Sequence, residues 1–274
     1  MNNLSPSQDL PVKQYRIILA ILLAEICIYF FCNIHIVSFQ KNTFIAFEQD
    51  PLLWLVYFIG LPQLILSSSF LSYFIDVSIL LLLITLIYRP LKKWVAIVLV
   101  IALFIFYCIF TAHLGHRNYQ SGYLFVLIPF LFTKPKNKQI AFELTRYFLL
   151  FFYVSAAFFK FKSGSLFISD HLSHAVTNQF TPYFLEQSYS LRTNFNLFLI
   201  THHNFAQAFY IGAALSELLM IIGFFTKKFE RHFTIIILIF HFSNWFKMDI
   251  APIGQIAFIC TLFYSNKFCW KTFN

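Results

Sequence analysis

The sequence contains few charged residues and few glycines, and none of its cysteines are closely paired. Only 11% of the 274 residues are charged, whereas 59% are hydrophobic. A soluble protein of this size cannot cover its surface with so few charges. The five cysteines form no CxxC pair, so we predict neither a metal site nor a disulfide framework. The sequence therefore predicts a protein that uses the lipid bilayer as its solvent.

Long apolar segments follow one another along most of the chain. A membrane-spanning helix needs about 20 mostly apolar residues. We predict an all-α, polytopic transmembrane helix bundle, a single domain over residues 1–274, with about eight spans: 16–37, 70–88, 94–113, 121–133, 141–160, 205–225, 232–248 and 251–266. A further apolar segment, 52–68, contains Gly60 and Pro62 and ends in three serines. That pattern fits a re-entrant or interfacial segment as well as it fits a crossing.

Basic residues cluster at the ends of the apolar segments. Cytoplasmic loops of membrane proteins carry an excess of lysine and arginine. Eight crossings place the basic clusters on one side and predict that both termini are cytoplasmic; the clusters lie at 13–16, 89–93, 134–138, 227–231 and 267–271. This topology explains the net charge of +9 better than nucleic-acid binding does, and we predict no nucleic-acid partner.

Two segments outside the predicted spans are informative: the N-terminal residues and one long loop. Residues 1–11 lack the regions of a cleaved signal peptide, so we expect the first helix to remain as an anchor. On the non-cytoplasmic side lies a long loop, 163–204, for which we predict one or two short interfacial helices. Its histidines lack a clear acidic partner at ligand spacing, so we interpret them as solvated side chains rather than zinc ligands.

Ionisable residues inside predicted spans are candidates for function, because they are costly in lipid. Lys160 ends a phenylalanine-rich span, where burial would favour a neutral amine that can act as a base or nucleophile. The alternative is a helix-end lysine that extends to the interface. Glu217 needs a cationic or protonated partner, and the sequence leaves Lys160 and His241 open for that role.

Other polar residues extend the candidate site. His241 and Asn244 are three residues apart and share a helix face, where they either orient a ligand or pair with another helix. His116 and Arg117 would join Lys160 at the non-cytoplasmic mouth and suit an anionic or oxygen-rich ligand; the alternative is a solvated loop. Two further intramembrane acids without an evident partner in sequence are Glu25 and Asp76.

These residues resemble the HTTM group, a membrane-domain family that includes vitamin K-dependent γ-glutamyl carboxylase. The resemblance covers about 75–265 and has three main parts. Tyr153, Ala156, Ala157 and Lys160 match the helix end that carries the carboxylase's catalytic lysine. Glu217 and the segment that follows it resemble the family's acidic residue, apolar run and basic loop, and His241-x-x-Asn244 resembles its H-x-x-N helix. A further match runs over 84–126, where Ser121 stands in the place of a functional histidine.

The resemblance implies a specific chemistry. In the carboxylase a deprotonated lysine takes a proton from reduced vitamin K, and the anion that results reacts with oxygen to give a strong base. The resemblance therefore implies that Lys160 is the base and that His241, Asn244 and Glu217 support it. Tyr153, Phe159, His116 and Arg117 would contact the cofactor, a menaquinol- or phylloquinol-like quinol. The carboxylase also has a large non-membrane domain for its protein substrate, to which no segment here corresponds, and this favours quinol oxygenation over protein carboxylation.

Three functional hypotheses follow. The first is an oxidoreductase or carbon–carbon lyase that acts on a quinol, with a small peptide or protein as a further substrate. The second is a non-catalytic membrane factor that helps a small secreted peptide to mature or leave the cell. The third is a transporter, although we find neither an internal repeat nor a pair of broken helices of the kind typical of transporters.

Overall fold

The protein is all-helical wherever its structure is described. A computed structural model describes residues 6–40, 56–90, 92–114, 127, 134, 137–185, 190–248 and 254–265. Every regular element in these ranges is a helix, and they contain no strand. The all-α class predicted from the sequence is therefore confirmed.

The helices belong to two compact units. The first unit comprises residues 1–145 and 253–261, with helices α1 (Pro6–Phe31), α2 (Ile36–Phe39), α3 (Leu61–Ser67), α4 (Ser69–Tyr88) and α5 (Lys93–Leu114). The second unit comprises residues 146–252 and 262–274, with α7 (His171–Leu185), α8 (Leu191–Thr201), α9 (His203–Leu218) and α10 (Glu230–Met248). Two helices run through a unit boundary: α6 (Lys138–Lys162) and α11 (Gln255–Ser265).

Five helical segments of the described chain are long and apolar enough to cross a membrane. They are Val12–Phe39, Ser69–Tyr88, Lys93–Phe110, Ile140–Lys162 and His203–Phe224. They overlap five of the predicted spans, namely 16–37, 70–88, 94–113, 141–160 and 205–225. These helices indicate a multi-pass membrane protein in a lipid bilayer.

The other predicted spans have different outcomes. Segment 232–248 is helical as α10 but is not among the five, because polar residues such as His241 and Asn244 lower its hydropathy. Segment 251–266 contains the 11 residues of α11, which are too few to cross a bilayer by themselves. Segment 121–133 lies outside the described residues except for Leu127. The total of eight spans stays a prediction, as do the single domain and the cytoplasmic termini.

The uncertain segment 52–68 does not form one continuous helix in its described part. Gly60 has a φ of +73°, in the left-handed region that glycine adopts readily. Helix α3 starts after it and has only seven residues. Ser68 is extended, and its side chain accepts a hydrogen bond from the Leu71 amide at the start of α4. Two helix boundaries therefore interrupt the apolar run.

The intramembrane acid Asp76 has a structural partner in the first unit. Its carboxylate accepts hydrogen bonds from the amides of Ile36 and Val37 at 3.1 and 3.2 Å. These amides belong to the first turn of α2, which has no intrahelical partners for them. The His35 ring nitrogen Nδ1 lies 3.5 Å from the same carboxylate. Asp76 thus fixes the N-terminus of α2 against α4.

The long predicted loop, 163–204, is mostly helical. Gly164 has a φ of +74° and separates the end of α6 from a short 3-10 helix, Ser165–Phe167. Helices α7 and α8 follow, in the segment for which the sequence predicts one or two short helices. Leu172, Val176, Leu199 and Ala206 form a buried apolar cluster, so these helices pack on each other and on α9.

The part of α6 that belongs to the second unit has a row of buried residues along one face. Arg146, Tyr153 and Ala157 are each no more than 2% exposed, and Lys160 continues the series at helical spacing. Helix α9 has a similar stripe in Ala214 and Glu217. Tyr153, Lys160 and Glu217 of these two stripes form part of the candidate site.

Candidate functional site

Four of the residues predicted for the site form two polar pairs in the second unit. Lys160 and Tyr153 come from α6, Glu217 from α9 and His241 from α10. Three helices that are well separated in sequence therefore supply the side chains. The sequence identified these residues singly, and the structure shows which ones are partners.

The first pair joins Lys160 and Glu217. The Lys160 ammonium nitrogen Nζ lies 2.5 Å from Glu217 Oε2 and donates a hydrogen bond to it. The Glu217 side chain is 5% exposed and that of Lys160 is 19% exposed. A buried carboxylate is costly unless it is paired, so Lys160 settles the partner choice that the sequence left open.

Two aromatic rings lie close to the ammonium group of Lys160. Its Nζ lies 5.7 Å from the centre of the Tyr210 ring and 5.5 Å from that of Phe240. Both distances fall within the range of cation–π attraction. Ser165 also connects these elements, since its hydroxyl donates to the Lys160 carbonyl at 3.2 Å and lies 3.0 Å from the Tyr210 hydroxyl. Lys160 is therefore held on several sides.

The second pair joins Tyr153 and His241. The Tyr153 hydroxyl lies 2.5 Å from His241 Nε2, and the two rings meet at 72° with centres 6.0 Å apart. Tyr153 is 2% exposed, so its hydroxyl depends on this partner. The Phe240 ring lies 6.5 Å from that of Tyr153 in an edge-to-face arrangement. The Phe240 ring therefore lies close to Lys160 of the first pair and to Tyr153 of the second.

The remaining predicted residues do not join this cluster. Asn244 is half-buried one turn beyond His241, and its side chain makes no hydrogen bond among the described residues. Phe159 is 70% exposed and points away from the buried stripe of α6. His116 and Arg117 lie outside the described residues, so their place in the site stays a prediction.

A third polar pair in the second unit was not among the sequence candidates. Arg146 donates hydrogen bonds to the Glu230 carboxylate and to the Gly223 carbonyl. The Arg146 and Glu230 side chains are 1% and 0% exposed. The sequence could have identified Arg146 as a candidate, because it is an ionisable residue inside the predicted span 141–160. This pair ties α6 to the start of α10.

The arrangement permits proton exchange between Lys160 and Glu217. In a medium of low dielectric constant, an ion pair and a neutral amine–acid pair differ less in energy than they do in water. Transfer of a proton from Lys160 to Glu217 would leave a neutral amine, which can act as a base. Within the described ranges no group of three His, Cys, Asp or Glu is placed to hold a metal ion.

Comparison with known proteins gives no relative for this chain. No protein-family model, no curated protein and no solved structure matches it.

Proposed function

We propose that this integral membrane protein binds a lipid-soluble quinol and that Lys160 accepts a proton from it, as the resemblance to the HTTM group implies. The observation that carries the proposal is the Lys160–Glu217 pair at 2.5 Å, largely buried and flanked by aromatic rings. A buried lysine beside an acid and aromatic rings suits proton transfer with an aromatic alcohol.

The residues around Lys160 fit such a ligand. The Tyr210 and Phe240 rings offer aromatic faces on which a quinol ring can pack. Tyr153 and His241 offer a hydroxyl and an imidazole, which can orient a polar oxygen. When bound, a reduced quinol supplies the reducing equivalents for a reaction with molecular oxygen that yields quinone epoxide and water.

Each residue has a separate role in this proposal. Lys160 accepts the proton, and Glu217 holds Lys160 in place and takes up a proton when the amine becomes neutral. His241 keeps Tyr153 oriented through their hydrogen bond. Asn244, one turn beyond His241, supplies an amide for a ligand oxygen. Carboxylation of a peptide or protein substrate would be a later step and is a further part of the proposal.

The experiment is an epoxide assay with the full chain in lipid nanodiscs, supplied with reduced vitamin K and oxygen. Epoxide is quantified by chromatography for the wild type, for empty nanodiscs and for the double variant Lys160→Met/Glu217→Gln. The double variant removes both charges and preserves the side-chain volumes, so it avoids an unpaired buried charge. We expect turnover only in the wild type; equal epoxide in nanodiscs with and without protein would refute the proposal.

A transporter is the second candidate, and the same ion pair favours it. Buried acid–base pairs in membrane helices also serve proton relays. Proton uptake into liposomes that contain the protein, with no quinol present, would separate the two functions. The remaining hypothesis, a non-catalytic maturation factor, predicts neither epoxide nor proton uptake and makes capture of a secreted peptide the informative measurement.

A further inference from the structure

A cavity lies between α9 and α10 in the second unit, beside the Lys160–Glu217 pair but not lined by it. Its volume is about 300 Å³, and most of its lining is apolar. The lining residues are Phe209, Gly212, Ala213, Ser216, Ile236, Ile239, Phe240, Ser243 and Lys247. We call this space the α9–α10 cavity.

Lys247 is the unusual member of this lining. It is 3% exposed, and its Nζ lies 4.2 Å from the centre of the Phe209 ring. No carboxylate among the described residues lies within ion-pair distance of it. Lysine at the end of a helix is stabilised by the helix dipole, but a lysine with only that role extends into water. Among the described residues, the α9–α10 cavity therefore contains a buried cation with no carboxylate within pairing distance.

Two serines, one on each helix, add polar groups to the lining. Ser216 donates its hydroxyl proton to the Ala213 carbonyl at 2.7 Å, which leaves its oxygen as an acceptor. Ser243 is half-buried on α10, one turn before Lys247. A ligand head group at Lys247 would lie near the Ser243 hydroxyl one turn away, and the rest of the ligand would extend along aliphatic and aromatic carbon toward Ser216.

The cavity is accessible from the surface of the helices. Ile239, which lines it, is 63% exposed, and α9 lies within His203–Phe224, a segment long and apolar enough to cross a membrane. Gly212 adds to the space, since a Cβ atom built there would meet nothing within 4 Å. An apolar chain in the bilayer can therefore reach the cavity without first entering water.

We propose that the α9–α10 cavity binds a single-chain lipid with a carboxylate head, such as a free fatty acid, with the carboxylate paired to Lys247. Charge complementarity selects an anionic head, because the ligand supplies the carboxylate that the described part of the chain does not place beside the buried ammonium. A volume of about 300 Å³ is at the lower limit for small-molecule pockets, which favours one acyl chain over two. The inference does not depend on the proposed quinol chemistry.

The test uses photoactivatable fatty-acid probes with the full chain in nanodiscs of zwitterionic lipid. One probe carries a carboxylate and the other a terminal alcohol on the same chain, and labelled peptides are identified by mass spectrometry. We expect labels on α9 and α10, with the carboxylate probe favoured about tenfold, the ratio given by one charge-assisted contact. Equal labelling by the two probes would overturn the proposal.

Variants locate the head and the chain. Lys247→Met should lower labelling by the carboxylate probe to the level of the alcohol, whereas Lys247→Arg should retain the preference. Gly212→Leu should reduce labelling by both probes, because the new side chain fills the cavity. Lys228→Met changes an exposed lysine of the same unit and should leave labelling unchanged. Unchanged labelling in Lys247→Met would overturn the role of Lys247.

Competition distinguishes the source of the anion. An unlabelled fatty acid should displace the carboxylate probe, and a diacyl anionic phospholipid at the same concentration should not. Displacement by the phospholipid alone would overturn the proposal in favour of a membrane-lipid head group.

Discussion

The Tyr153 hydroxyl lies 2.5 Å from His241 Nε2, and this hydrogen bond connects α6 to α10 inside the second unit. Tyr153→Phe removes the hydroxyl and preserves the ring. We expect it to lower the free energy of unfolding by about 1 kcal/mol, typical of one buried hydrogen bond. Chemical unfolding in mixed micelles, followed by tryptophan fluorescence, measures the change.

A double-mutant cycle isolates this pair. If the hydrogen bond couples the two residues, His241→Phe should cost less in the Tyr153→Phe background than in the wild type, with a coupling of roughly 0.5–1.5 kcal/mol. Additive effects of the two substitutions would mean that the pair is not energetically linked. Tyr147→Phe changes an exposed tyrosine of the same helix and provides the control.

Gly223 and Leu150 make a close approach, so that a side chain at position 223 requires the buried Leu150 side chain to move. A Cβ atom on Gly223 would lie 2.5 Å from Leu150 Cδ2. Gly223→Ala should therefore destabilise the protein by about 1–3 kcal/mol through overpacking. Gly212→Ala is the matched control, because nothing lies within 4 Å of the new Cβ.

A second substitution tests the cause of that loss. Leu150→Ala in the Gly223→Ala background makes room for the methyl group, so it should cost less there than it costs alone. If the two losses simply add, the contact with Leu150 does not explain the requirement for glycine.

The free energy of unfolding should depend strongly on both partners of the buried Arg146–Glu230 pair. Glu230→Gln leaves the Arg146 guanidinium buried without its carboxylate, which should cost about 3–5 kcal/mol. Arg146→Met/Glu230→Met removes both charges and should cost less than the single change. Arg231→Gln, at an exposed neighbouring position, serves as the control in the same unfolding measurement. A double variant less stable than Glu230→Gln would contradict this account.

Lys138 predicts a pH dependence of stability in the first unit. It is buried, with its Nζ 5.9 Å from the centre of the Tyr15 ring. Burial lowers the pKa of Lys138 from its ordinary value of 10.5. The unfolded chain therefore binds more protons than the folded chain between the lowered pKa and 10.5, and the stability contributed at this position rises with pH across that window.

The measurement compares Lys138→Met with the wild type from neutral pH upward. The variant should be the more stable protein at neutral pH, and its advantage should shrink as the pH approaches 10.5. Lys134→Met, at an exposed position, should show no such trend. A constant difference across the pH range would contradict the desolvation of Lys138.

The helical class and the positions of five membrane-capable helices could be predicted because both follow from hydropathy along the chain. Which polar side chains pair with one another could not be predicted. Lys160 and His241 were equally available to Glu217 in the sequence, and the choice depends on the rotation of α9 relative to α6 and α10. The role of Asp76 was missed because its partners are backbone amides of α2, which carry no sequence signal.

Neighbouring residues that the sequence predicted for the same site differ in burial. Phe159 and Lys160 are adjacent, yet only Lys160 faces the interior, because neighbouring side chains on a helix point about 100° apart. Lys247 was not a candidate in the sequence, since a basic residue at the end of a predicted span usually lies in the interface.

The most direct test of the central claim is the epoxide assay on Lys160→Arg, compared with the wild type and Lys162→Arg. Arginine preserves the positive charge and the pairing with Glu217, but it does not deprotonate in proteins. Lys162 is exposed on the same helix, so Lys162→Arg controls for the substitution itself. If Lys160 is the base, Lys160→Arg folds and loses turnover while Lys162→Arg retains it. Full turnover in Lys160→Arg would contradict the account, because the lysine would then serve only as a partner for Glu217.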